Sequence, residues 1–157
     1  MRRPPNKDLS AEGARNTALR VLARREHSAA QLGAKLRQRG HDEHTVRQTL
    51  EQLDGAGWLS DQRYTEMLVR NRVAQGYGPL RIRADLQAAG VSDALAREAL
   101  DAAEVDWLER AAAAHARRFE GPATTAKQWQ QQYRFLAGRG FESGQIRSIL
   151  KGCAEYD

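Results

Sequence analysis

The chain has 157 residues, 41% hydrophobic and 29% charged, with a formal net charge of +5 at neutral pH. That balance is globular rather than disordered, and no apolar run approaches the roughly 20 residues that a membrane-spanning helix needs. Cys153 is the lone cysteine, which excludes an internal disulfide; with no apolar stretch after Met1 to act as a secretory signal, a reducing cytoplasm is expected.

The first 25 residues hold Arg2, Arg3, Lys7, Arg15, Arg20, Arg24 and Arg25 against Asp8 and Glu12, so the formal excess of positive charge sits at the N-terminus. Paired prolines and little to bury predict a basic, flexible tail over residues 1–16. A first helix is expected over 18–25. A second follows over 29–39, where Ser28 and Gln31 have the spacing of a capping box. A third, over 43–56, sets Val46, Leu50 and Leu53 on one side.

The next stretch, DQRYTEMLVRNRVAQGYGPLRIRADLQAAG, reads as two helices joined by a tight turn. Leu59, Ser60 and Tyr64 fit a hydrophobic staple around an N-cap, which starts a helix near Asp61. Gly76, Tyr77, Gly78 and Pro79 stop it, and Pro79 suits the first turn of the next helix. Ile82, Leu86 and Ala89 share a face, and Gly90 closes the helix in the left-handed region. Ser92 then caps a helix with Ala96, Ala99, Leu100 and Ala103 expected inward. Downstream, a helix over 105–119 is expected to turn Leu108, Ala112 and His115 inward, and Gly121 and Pro122 end it. Thr125 and Gln128 suggest another capping box, before a helix lined by Trp129, Tyr133 and Leu136. Ile146, Ile149, Leu150 and Cys153 line the last helix.

These elements recur with a period of 50 residues. Leu36, Leu86 and Leu136 align, as do Gly40, Gly90 and Gly140, Arg47, Arg97 and Arg147, and Leu50, Leu100 and Leu150. No strand character persists anywhere. The expected fold is all-α: three tandem three-helix repeats over residues 17–59, 60–104 and 105–157. Units this small must lean on one another, which suggests an elongated, curved rod.

Charge follows the repeat. Residues 24–39 carry a net of +4 and residues 42–61 a net of −4; residues 63–83 carry +4 and residues 85–109 carry −6. The third copy departs, at +6 over 110–151. Stacked like units would align their basic helices into a binding stripe; the competing reading is a solvated surface of ion pairs, each worth only about 0–1 kcal/mol.

The stretch from Asp61 to Gly90 also resembles a known family. Its Asp61, Tyr64, Arg70, Arg72, Gly76, Gly78, Pro79, Ile82, Asp85, Leu86 and Gly90 are similar to the core pattern of the RecX regulatory proteins. The likeness extends over roughly residues 17–156. It implies a monomeric, non-enzymatic regulator that binds the RecA recombinase filament in its groove and suppresses ATP hydrolysis, strand exchange and co-protease activity. The alternative is a helical-repeat protein that holds DNA directly, with arginines on phosphates. For either partner the candidate contact residues are Lys35, Arg37, Arg39, Arg70, Arg72, Tyr77, Arg81, Arg83 and Arg134.

No catalytic, cofactor or metal constellation is expected. The turn at Gly76–Pro79 lacks the Gly-Lys-Ser/Thr ending of a phosphate loop. His41 and His44 lack the further ligands that zinc needs. Trp58, Trp107 and Trp129 read as core residues rather than stacking platforms. Tyr77 suits packing and partner contact equally.

Overall fold

A computed structural model describes residues 8–150; the residues before Asp8, and Cys153, expected to line the last helix, lie outside them. Among the described residues there are nine α-helices and no strand. They are α1 (Ala11–Arg24), α2 (Ala29–Gln38), α3 (Glu43–Gly55), α4 (Asp61–Ala74), α5 (Pro79–Ala88), α6 (Asp93–Ala102), α7 (Trp107–Arg118), α8 (Ala126–Gly138) and α9 (Ser143–Ile149). The all-α fold of three three-helix repeats is therefore present, in the order read from the sequence.

The chain forms two compact units. One runs to Met67 and includes Ala89–Val91; the other holds Leu68–Ala88 and continues from Ser92. Residues of the second repeat thus belong to both.

In the first unit α1, α2 and α3 pack on one another. Their core is Ala18, Leu32, Leu36, Val46, Leu53 and Leu59. The helix α1 starts seven residues earlier than the expected 18–25, inside the segment read as tail. Ser10 caps it, its Oγ accepting from the Gly13 N–H at 3.1 Å, and Asp8 in turn accepts from the Ser10 N–H at 3.0 Å. Gly13, Ala14 and Thr17 are buried. A face of such small residues gives a weak hydrophobic pattern, so the sequence understates this helix. The box on α2 is complete: Ser28 Oγ accepts from the Gln31 N–H, and Gln31 Oε1 accepts from the Ser28 N–H. Asp61 has a further role, since its Oδ1 accepts from the Ala29 N–H at 2.7 Å and so satisfies a free donor at the start of α2.

In the second unit α7, α8 and α9 enclose Ala111, Ala114, Ala123, Trp129, Leu136, Phe141, Ile146 and Leu150. The inward face of α7 differs from the expected one. Trp107 packs against the core with Ala111 and Ala114, while Leu108 and Ala112 face solvent and His115 is half-buried. The indole fills the core, and the alanines let the neighbouring helices come close. On α6 only Ala96 is fully buried; Ala99 and Leu100 are half-buried and Ala103 is exposed.

The three glycines of the 50-residue register share one conformation, with φ of +102° at Gly40, +78° at Gly90 and +96° at Gly140. Each follows the middle helix of its repeat. After Gly40 and Gly140 the chain closes in the same way: His41 donates to the Leu36 carbonyl and Phe141 to the Leu136 carbonyl, both at 3.2 Å.

The same register also makes two similar joints, one inside each unit. In the first, Ser28 Oγ donates to the Ala89 carbonyl at 2.5 Å, and Gly90 lies against Ala30. In the second, the N–H groups of Gly78 and Leu80 donate to the carbonyls of Arg139 and Gly140 at 2.8 and 2.9 Å. A cap hydroxyl in the first joint, and unpaired backbone donors at the start of α5 in the second, thereby meet carbonyl acceptors at the end of another helix.

Candidate partner-binding surface

The Gly76–Pro79 turn is held from its own unit. It begins as a helix C-terminus: the Tyr77 N–H donates to the Arg72 carbonyl at 3.0 Å, with Gly76 at φ +86°. Arg139 then caps that end. Its Nε donates to the Gly76 carbonyl at 3.3 Å and its Nη2 to the Gln75 carbonyl. The same guanidinium sits 3.9 Å from the centre of the Tyr77 ring, and that of Arg81 lies 4.7 Å from it. Two cations on one ring make Tyr77 a structural clamp, each contact worth about 0.5–1 kcal/mol at such exposure. Arg139 was not legible as a site residue, because its partners lie more than 60 residues away. The available signal was its register with Arg39.

The four arginines around this turn have different surroundings. Arg72 and Arg81 share one carboxylate, with Asp85 2.8 Å from Arg72 Nε and 3.1 Å from Arg81 Nε. Arg83 is exposed and has no ion-pair or hydrogen-bond partner among the described residues. Arg70 points elsewhere: it lines a recess of about 490 Å³ with Val69, Val73, Glu104, Asp106 and Glu109. Arg134 is exposed on α8 and likewise unpaired among the described residues.

The basic residues of α2 also separate. Arg37 is taken by Glu43 in a two-toothed pair at 2.7 and 2.8 Å. Hydrogen bonding across it holds the Glu43 carboxyl below its ordinary pKa and the guanidinium above its own. Lys35 and Arg39 instead line a cleft of about 520 Å³ with Arg20, Arg24 and Arg25 of the α1 end.

His27 is buried in the wall of that cleft, its Nδ1 donating to the Arg25 carbonyl at 2.9 Å in the tautomer that places the proton there. Burial pushes its pKa down, and the charges of Arg25 and Lys35 push it further; the carbonyl and Glu26 act the other way. The folded pKa thus lies below the ordinary value of 6.5, so the unfolded chain binds this proton first as pH falls. The neutral ring supports the fold fully above about pH 6.5, and that support is lost as pH drops below it. Melting curves from pH 7.5 to pH 5 are expected to show this decline. His27→Gln should flatten it; an unchanged slope in the variant would assign the decline to other groups.

Trp58 corrects the expectation of a core tryptophan: it is 58% exposed. It follows the left-handed Gly57 at the end of α3, and Leu59 takes the core position next to it. Trp107 is half-buried, and Trp129 is buried. Among the described residues no cluster of three or more His, Cys, Asp or Glu could hold a metal ion. None of their helices is long and apolar enough to cross a membrane.

Three family models match in chain order: the first three-helix domain of RecX over residues 14–53, the second over 60–100 and the third over 104–150. The regulatory protein RecX of Halorhodospira halophila is 42% identical over 149 residues, covering 94% of this chain and 92% of that protein. The one from Acidithiobacillus ferrooxidans is 45% identical over 141 residues, covering 89% and 90%. The crystal structure of RecX from Lactobacillus salivarius superposes with a TM-score of 0.79 at 21% identity, covering 92% of this chain and 97% of that one.

Proposed function

The chain belongs to the RecX family of regulatory proteins, and from that premise we propose that it regulates the RecA recombinase by binding the RecA–DNA filament. The observation that carries this reading is the ordered match of all three RecX domains over residues 14–150. Within it, Arg83 is the strongest candidate for direct contact. It is exposed on α5, and no carboxylate among the described residues neutralises it. A guanidinium free of internal partners can take a partner carboxylate or a DNA phosphate in two-toothed geometry. Arg72 and Arg81, by contrast, already share the Asp85 carboxylate. Binding along the filament groove, one molecule touching neighbouring RecA subunits, would lower ATP hydrolysis, strand exchange and co-protease activity together.

The test is the ATPase rate of RecA on single-stranded DNA, titrated with the chain below stoichiometry. A fall in rate at ratios well under one per RecA is expected. A rate that stays constant up to equimolar protein would remove the reading. Direct DNA binding is the second reading, and the unpaired Arg83 and Arg134 favour it equally. It predicts retention of the chain on DNA without RecA, falling steeply with salt.

A further inference from the structure

The basic cleft lies within the first unit and the Tyr77 turn within the second, and the chemistry of the two differs. Arg20 and Arg24 are one helical turn apart at the end of α1, and Lys35 and Arg39 are one turn apart at the end of α2. Arg25, the residue after α1, completes the set. No acidic residue lines the cleft, and none of the five cations has a carboxylate partner among the described residues. Thr17, Val21 and His27 complete the walls; Thr17 and His27 are buried.

Five cations without a counter-charge repel one another, and salt relieves them only in part. A space of about 520 Å³ is about 10 Å across if compact, comparable with the Debye length of about 8 Å at physiological ionic strength. The α1 and α2 C-termini offset part of this through their partial negative charge, by about half an elementary charge each. Most of the excess remains, and a single anion of high charge would remove it more fully than scattered monovalent ions.

Shape narrows the choice of anion. A nucleic-acid strand is usually held by a track of cations interleaved with exposed aromatic rings on which bases stack. This cleft holds no such ring: His27 is buried, and the exposed Trp58 lines a different recess with Leu19, Leu22 and Ala23. The site is concave, and four of its five cations are arginines, whose planar forks suit phosphate oxygens in pairs.

We propose that the cleft between α1 and α2 binds a compact oligophosphate chain, free or as the phosphate tail of a nucleotide. The phosphates lie between the Arg20–Arg24 row and the Lys35–Arg39 row, and Arg25 closes one end. This site is independent of the filament reading and would exist whether or not Arg83 contacts RecA.

Calorimetry on the whole chain in about 0.15 M salt tests it with sodium tripolyphosphate, ATP, AMP and a short single-stranded oligonucleotide. Tripolyphosphate is expected to bind, with AMP weaker by about tenfold or more because it offers one phosphate to five cations. ATP matching tripolyphosphate identifies the nucleotide tail as a sufficient ligand; ATP much weaker identifies the free chain. Lys35→Gln with Arg39→Gln should weaken tripolyphosphate by about tenfold or more without moving the melting temperature. Arg37→Gln is the control, since that side chain is already held by Glu43, and it should change little. The His27 ring should titrate at higher pH in the complex, as read by proton NMR, because the anion favours its charged form. Equal binding of AMP and tripolyphosphate, or unchanged binding by the Lys35/Arg39 variant, would overturn the proposal. So would an oligonucleotide that binds there and is not displaced by tripolyphosphate; that result would make the cleft a strand contact.

Discussion

Replacing Gly140 by alanine is expected to lower the melting temperature by on the order of 5–15 °C. The added Cβ would lie 2.4 Å from the Arg81 Cβ and 2.6 Å from its backbone nitrogen. Those are backbone-anchored atoms that cannot swing aside, and φ of +96° adds left-handed strain for any residue with a Cβ. Strain and overpacking together amount to about 2–4 kcal/mol. The clash falls on the joint where Gly78 and Leu80 donate to the carbonyls of Arg139 and Gly140, so it also loosens the Arg139 cap on the Tyr77 turn. Gly138→Ala is the matched control. It lies in α8 with nothing within 4 Å of the new methyl group, and it should stabilise by up to about 1 kcal/mol through helix propensity. Equal melting temperatures for the two variants would mean the joint is not closed in solution.

Arg83→Glu is expected to leave circular dichroism and melting unchanged and to weaken inhibition of RecA. Interface arginines are worth about 1–3 kcal/mol on truncation, roughly five- to 150-fold in affinity. Reversing the charge should reach the upper part of that range. Arg81→Glu is a poorer probe, although the two side chains are close neighbours in sequence. Arg81 bonds Asp85 and lies over Tyr77, so a glutamate there sets two carboxylates against each other and strips one face of the clamp. Combining Arg81→Glu with Arg83→Glu would therefore mix a folding defect with a binding defect. The RecA ATPase titration of the single variant separates them. Full inhibition by a normally folded Arg83→Glu would assign this surface to solvent.

The sequence carried the repeat because its markers are local and obey backbone rules. Gly40, Gly90 and Gly140 all needed left-handed φ, and the Ser28 box forms with both of its hydrogen bonds. The box read at Thr125 is only half formed. Thr125 Oγ1 accepts from the Gln128 N–H, but Gln128 Oε1 takes the N–H and hydroxyl of Thr124 instead. Faces built from alanine and glycine were harder to read. On α1 and α7 the buried stripe is Gly13, Ala14 and Thr17, or Ala111 and Ala114, and larger residues such as Leu108 misdirect the pattern. Partner choice among arginines was the least legible. Arg37, Arg72 and Arg81 found carboxylates, while Arg83, Lys35 and Arg39 did not. That outcome depends on distances between helices, which spacing along the chain does not encode.

The buried residue after each register glycine tells a different story in each copy. Val91 and Phe141 fill that position with hydrocarbon, whereas His41 fills it with an imidazole whose Nδ1 has no hydrogen-bond partner among the described residues. An orphaned polar atom of this kind costs about 1–3 kcal/mol. The chain therefore contains its own family of variants: three solutions to one local problem, two of them free of that cost. Whatever holds histidine in the first copy must outweigh a penalty that the other two copies show can be avoided.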